Sequence, residues 1–72
     1  MNTIHIAVVR ADGTSYTQSL YTIPHIGESI DSQNRDEVLS YIIRNVIHAP
    51  SNERIKSAGL AVDRDFAAMI FL

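Results

Sequence analysis

Hydrophobic and polar residues alternate in the first third of the chain. Over residues 3–9, β-branched residues occupy alternate positions, a pattern typical of a strand. Asp12-Gly13 follows, a dipeptide that accepts the positive φ angles of a tight hairpin turn. Alternation resumes over residues 14–23 with tyrosine, leucine and isoleucine. The first 23 residues are therefore predicted to form a β-hairpin.

Turn signals and polar residues follow the hairpin. Pro24 cannot donate a hydrogen bond to a strand ladder, so it ends the second strand. Gly27 permits a turn or a β-bulge. Residues 31–37 read D-S-Q-N-R-D-E, and this polar composition predicts a loop.

The central stretch, residues 36–48, fits two templates. As a helix, it carries apolar residues at i, i+1, i+4 and i+5, with Asp36 available as N-cap and Pro50 as a stop signal. As a strand, it is favoured by residue type, because tyrosine, isoleucine and valine are abundant over residues 39–48. The residues alone leave both structures open.

The last third of the chain predicts two further strands. Ser51-Asn52 indicates a turn, and residues 55–62 alternate loosely, with Gly59 marking a bulge or a close backbone approach. Residues 66–72 read F-A-A-M-I-F-L, which predicts a final apolar strand.

Two short motifs in the middle of the chain carry a resemblance to a known group. A P-x-x-G-E turn is present at Pro24, Gly27 and Glu28, and a Y-x-V-x-x-V-x-H-x-P strand is matched at Tyr41, Ile43, Val46, His48 and Pro50. Over residues 23–50 the chain resembles a loose group of small uncharacterised bacterial β-barrels of SH3-like character. The resemblance implies a strand in the central stretch and carries no functional residue. A longer polar insertion before Tyr41 and an apolar C-terminal tail depart from the pattern, which bears on strand count and barrel closure.

The fold expected from these observations is all-β. It is a small antiparallel barrel or rolled sheet of five or six strands, SH3-like, in a single small domain, residues 1–72. The alternative is an α+β fold, with the N-terminal β-hairpin and one amphipathic helix at residues 36–48.

Composition adds an expectation of self-association. A domain of 72 residues buries only about 60% of the surface of its unfolded chain, and the absence of cysteine excludes disulfides and thiolate metal sites. With 46% hydrophobic residues, a small core cannot cover all the apolar surface. The expected partner is a second copy of the chain, in a homodimer or higher oligomer.

The uncharged C-terminal run has two interpretations: it is the last strand that closes the protein's own barrel, or it is a subunit interface. It combines high β propensity with no charge and no proline, and such a segment at a sheet edge pairs with other chains. The interface residues are predicted to be Phe66, Met69, Ile70, Phe71 and Leu72.

The charge of the chain and the lack of targeting signals limit the classes of partner that we expect. Six basic residues against eight acidic ones give a net charge of −2, and the basic residues are scattered singly, whereas phosphate binding needs a cluster. Nucleic acid is therefore an unlikely partner. No signal peptide and no run of about 20 apolar residues is present, so we expect a cytoplasmic protein without membrane contact.

Candidate chemistry is sparse. His5, His25 and His48 are too widely spaced in sequence for a zinc motif, and no nucleophile elbow or glycine-rich phosphate loop is present. No catalytic residue, cofactor or metal ligand is predicted. Five residues remain as candidates for a site assembled by the fold: His25, Glu28, Tyr41, Arg44 and His48.

The sequence identifies no biochemical function. The function expected is a non-catalytic, self-associating binding or assembly module. The alternatives are a small regulator that binds nucleic acid or protein, and a minimal enzyme with a site at a subunit interface.

Overall fold

Six strands and one short helix make up the part of the chain described by the computed structural model, residues 2–34 and 37–72. In chain order they are β1 (Ile4–Val9), β2 (Ser15–Leu20), β3 (Ser29–Asn34), β4 (Glu37–Ile42), β5 (Asn45–His48), α1 (Asn52–Ser57) and β6 (Phe66–Phe71). The expectation of a small β-rich fold is confirmed at this level.

The N-terminal hairpin forms as predicted. β1 and β2 are antiparallel neighbours, and the turn between them contains Gly13 at φ 89°. The backbone N–H of Arg10 donates to the carbonyl of Thr14 at 2.8 Å and closes the turn. The second strand ends at Leu20, three residues before the predicted end.

The main sheet is mixed and open, so the predicted antiparallel barrel is wrong in detail. Its four strands lie in the order β2-β1-β6-β5, and β1 and β6 are parallel. β6 enters the middle of the sheet and leaves β2 and β5 as its outer strands. β3 and β4 form a separate two-stranded sheet.

Both faces of the main sheet are buried, because successive residues of a strand point to opposite sides. On one face, a first core cluster is covered by the β3–β4 hairpin; it consists of Ile6, Val8, Ile30, Ile43, Ala68, Ile70 and Leu72. On the other face, a second cluster is covered by α1; it consists of Ala7, Ile55 and Met69. A sheet covered on both sides has no need to close on itself.

A β-bulge between β1 and β6 determines on which face of the sheet the side chains at each end of β6 lie. His5 pairs with Phe66, but the next residue, Ile6, pairs with Ala68, so Ala67 is the extra residue. The extra residue changes the alternation at this point. Phe66 therefore packs with the second cluster, on the same face as Met69.

The central stretch is strand, and the alternative helix at residues 36–48 is wrong. β4 and β5 occupy it, with a break at residues 43–44 that moves the chain from the hairpin to the main sheet. Ile43 at this break is fully buried, and Arg44 N–H donates to the carbonyl of Phe71 at 2.7 Å. The proposed N-cap, Asp36, lies outside the described residues.

The predicted polar loop at residues 31–37 is also wrong where the structure describes it. Residues 31–34 belong to β3 and pair with β4, and Glu37 begins β4. The polar composition predicts a loop, but the backbone of these residues pairs with β4 in a continuous antiparallel register.

Residues 55–62 form no strand: α1 includes residues 55–57, and residues 58–62 belong to neither a helix nor a strand. Ser51 is the N-cap, and its hydroxyl accepts a hydrogen bond from Arg54 N–H at 3.3 Å. Gly59, at φ 85°, ends the helix. Among the described residues, no helix is long and apolar enough to span a membrane.

Candidate interaction surface

The β3–β4 hairpin exposes large apolar side chains. Val38 is 67% exposed and Ile42 is 57% exposed, while Tyr41 between them is half-buried and packs against the first core cluster. This alternation follows from strand geometry, since Tyr41 points toward the main sheet and its neighbours point away. The outward face of β4 therefore combines two β-branched residues with Ser40, which is also exposed.

The hairpin is anchored to the rest of the molecule at one end. Ile43 N–H donates to the carbonyl of Glu28 at 3.0 Å, and Gly27 N–H donates to the carbonyl of Ile43 at 2.9 Å. The buried side chains of Ile30 and Ile43 hold the same end in the core. A two-stranded sheet is marginally stable in water by itself, so this anchorage is needed.

One edge of β4 has no strand neighbour among the described residues. In an antiparallel ladder, consecutive residues direct their backbone groups to opposite sides. Ile43 directs both its N–H and its carbonyl toward the β3 side, so Val38, Ser40 and Ile42 direct theirs away from β3. These three residues define what we call the β4 edge.

The outward face of the hairpin is polar beside the β4 edge. Ser40 pairs with Asp31 across the hairpin, and the Ser40 hydroxyl donates to the Asp31 carboxylate at 2.6 Å. This hydrogen bond joins two exposed side chains, so it fixes the Ser40 rotamer more than it stabilises the fold. Val38 and Ile42 are the apolar residues of β4 on the same face as Ser40.

The five residues of the predicted C-terminal interface are packed inside the molecule. Met69, Ile70 and Leu72 are buried, and Phe66 and Phe71 are half-buried. Both edges of β6 are occupied, by β1 on one side and β5 on the other. The apolar run therefore serves the core of the chain itself and offers no free strand edge.

Two of the five other candidates line a shallow depression, and a third, Glu28, contacts one of them. His25 and His48 line it, together with Pro24, Ile26 and Val46, around a volume of about 340 Å³. Glu28 accepts the backbone N–H of His25 at 2.8 Å and lies 2.9 Å from its Nδ1.

The contact between His25 and Glu28 lies at the protein surface. The His25 and Glu28 side chains are 84% and 55% exposed, so water screens their interaction. No group of three metal-ligating side chains occurs in the part of the chain that the structure describes. The other two candidates lie elsewhere, with Tyr41 packed against the first core cluster and Arg44 exposed at the hairpin base.

A second, larger cleft lies beside α1. It is open to solvent, has a volume of about 720 Å³, and is lined by apolar residues of the sheet and polar residues of the helix, among them Val9, Met69, Phe71, Ser51, Glu53 and Arg54. Its charged residues, Glu53 and Arg54, are both exposed. It contains no arrangement of groups that specifies a reaction.

Sequence reasoning did not identify Val38 and Ile42 as surface residues. In the helical template they belong to the buried stripe, and in the strand template they share a face with Ser40. The serine between them is a weak sign that this face meets solvent, since buried faces of strands are more continuously apolar.

Comparison with known proteins gives no further guide. No protein-family model, no curated protein and no solved structure matches the chain.

Proposed function

We propose that this protein is a non-catalytic assembly module that self-associates through the β3–β4 hairpin. The observation that carries the proposal is the exposure of Val38 and Ile42, at 67% and 57%, on a hairpin anchored at one end. Contiguous exposed apolar surface is typical of interaction sites, and Val38 and Ile42 lie on the same face of one strand.

The energetics of the hairpin support this function. Removing an apolar side chain from water is worth about 25 cal/mol for each Å² buried. The exposed side chains of β4 have that contribution still available, and the hairpin is short of stabilising contacts of its own. A partner that covers them stabilises the hairpin and the complex together.

The absence of reactive geometry elsewhere in the described residues favours assembly over catalysis. The His25–Glu28 pair is exposed and lies beside no nucleophile among the hydrogen-bonded groups. Charge also gives little support to nucleic-acid binding, since the basic residues are fewer than the acidic ones.

Solution mass tests the proposal. We expect size-exclusion chromatography with light scattering to give a mass above that of the 8.0 kDa chain, rising toward a fixed oligomer as concentration increases. A mass of one chain at every concentration would contradict self-association.

A further inference from the structure

We propose that two copies of the chain join along the β4 edge in antiparallel orientation, with Ser40 opposite Ser40 of the second copy. This inference rests on the proposed self-association and specifies its surface, partner and register. It turns two hairpins into one four-stranded sheet, in the order β3-β4-β4-β3.

The backbone of the β4 edge provides the first argument. Val38, Ser40 and Ile42 each direct one N–H and one carbonyl away from β3. No strand of the described residues pairs with β4 on that side. Two such edges placed antiparallel bring a donor opposite each acceptor, with about two hydrogen bonds for each of three residue pairs. Strand addition of this kind is a general mode of recognition.

The side chains select the register. In this dimer a two-fold axis perpendicular to the sheet relates the two copies of β4. Residues that lie opposite each other in paired strands have their side chains on the same face of the sheet. One residue of β4 must therefore lie opposite the same residue of the second copy. With Ser40 on the axis, Val38 of each copy faces Ile42 of the other. A register centred on Leu39 or Tyr41 would instead place Val38 or Ile42 opposite a serine.

The charges select the direction. Glu37 begins β4 and Arg44 follows its end, and both residues are exposed. Antiparallel pairing brings the acidic end of one strand to the basic end of the other. Parallel pairing would place like charges side by side, which is destabilising.

Pairing with a second copy along the β4 edge also explains the difference in composition between β3 and β4. β4 carries apolar residues on both faces, whereas the four residues of β3 that follow Ile30 are all polar in sequence: Asp31, Ser32, Gln33 and Asn34. A protein interface is expected on the apolar strand, and solvent on the polar one. In the proposed dimer, β4 is central and β3 is the outer strand.

Cysteine cross-linking tests the register directly, because the chain contains no native cysteine. Facing residues that exchange hydrogen bonds lie about 5.5 Å apart at Cα, within the range of a disulfide. We expect Ser40→Cys to form a covalent dimer under mild oxidation. Ser29→Cys, on β3 of the same hairpin, is the matched control and is expected to remain monomeric on denaturing gels.

A mixed pair sharpens this test. Val38→Cys and Ile42→Cys, oxidised separately, are expected to cross-link poorly, whereas an equimolar mixture is expected to give a covalent dimer. The opposite pattern would overturn the register.

Charge substitution tests the surface without oxidation. Val38→Lys with Ile42→Lys places like charges across the proposed interface, so we expect the mass to fall to that of one chain. Tyr21→Lys is the control, because Tyr21 is 66% exposed but lies outside β4; it should leave the oligomer intact. Circular dichroism verifies that each variant is folded.

The outcomes separate the two proposals. A wild-type protein that is monomeric throughout overturns both self-association and the β4 interface. A wild-type oligomer that persists in the double lysine variant, with no cross-link through Ser40→Cys, overturns the β4 interface and shows that self-association uses another surface.

Discussion

At the scale of single residues, the turn between β1 and β2 contains the clearest electrostatic feature of the molecule. The Asp12 carboxylate accepts hydrogen bonds from the Thr14 hydroxyl at 2.6 Å and from the Thr14 backbone N–H at 2.9 Å. These bonds, with the nearby positive charge of Arg10, lower the pKa of Asp12 below its ordinary value of 3.8. The folded turn therefore favours the ionised carboxylate.

The sign of this shift predicts how stability depends on pH. A group whose pKa is lowered on folding stabilises the fold above its unfolded pKa and loses that contribution as the pH falls through its folded pKa. We expect Asp12→Ala to lower the melting temperature at neutral pH, and this difference to shrink as the pH falls below 3.8. Thermal melts of both proteins across this range measure it.

Asp65→Ala serves as the control for that experiment, because it removes an exposed carboxylate from the segment before β6. A difference between wild type and Asp12→Ala that stays constant at low pH would show that the carboxylate charge has no part in the turn.

At the scale of elements, α1 depends on its two ends. Leu60 N–H donates to the carbonyl of Ile55 at 3.2 Å, and Gly59 N–H donates to that of Lys56 at 2.9 Å, which is the Schellman motif. Ile55 and Leu60 also pack together in the second core cluster. The Ser15 hydroxyl donates to the carbonyl of Ala58 and ties the end of the helix to β2.

This geometry makes Gly59 a sensitive position. A Cβ added there would lie 3.8 Å from the Ser15 hydroxyl, an ordinary contact, so the strain comes from the φ of 85°. We expect Gly59→Ala to lower the free energy of unfolding by about 1–2 kcal/mol, measured by urea denaturation. Gly59→Asn should lose less, because asparagine tolerates this conformation better; equal losses would contradict a conformational cause.

The elements that sequence could predict are those with a local signature. Alternation and Asp12-Gly13 predict the first hairpin, and the apolar run predicts β6. α1 has six residues, fewer than two turns, so its periodicity is invisible, and only Ser51 and Gly59 mark its ends. β3 is missed because polar composition describes a loop and a solvated strand equally well.

The candidate site was less predictable than the fold. Val38 and Ile42 are apolar, and apolar residues in a short chain are expected in its core. Their exposure follows from topology, because β6 takes the central place in the main sheet and the β3–β4 hairpin packs outside it. That arrangement depends on pairing between residues 4–9 and 66–71, which no local pattern encodes.

At the scale of the whole molecule, Ile70 joins the strands of the main sheet. It is fully buried in the first core cluster and pairs with Val8 on β1 and Val46 on β5. We expect Ile70→Asp to unfold the domain, because a buried unpaired carboxylate is strongly unfavourable. Circular dichroism and thermal melting measure the loss of structure.

Ile70→Val is the matched control and removes one methylene. It should lower the free energy of unfolding by about 0.5–1.5 kcal/mol and leave the fold intact. An Ile70→Asp protein with an unchanged melting temperature would show that this position is accessible to water.

The parallel pairing of β1 with β6 has a consequence for biosynthesis. A ribosome makes β1 early and β6 late, so the nascent chain carries the β1–β2 hairpin with one edge unpaired and both apolar faces uncovered until residue 71 has left the exit tunnel. Folding of the main sheet therefore waits until β6 has emerged from the tunnel, and during that interval the exposed apolar faces and the unpaired edge of β1 are open to aggregation.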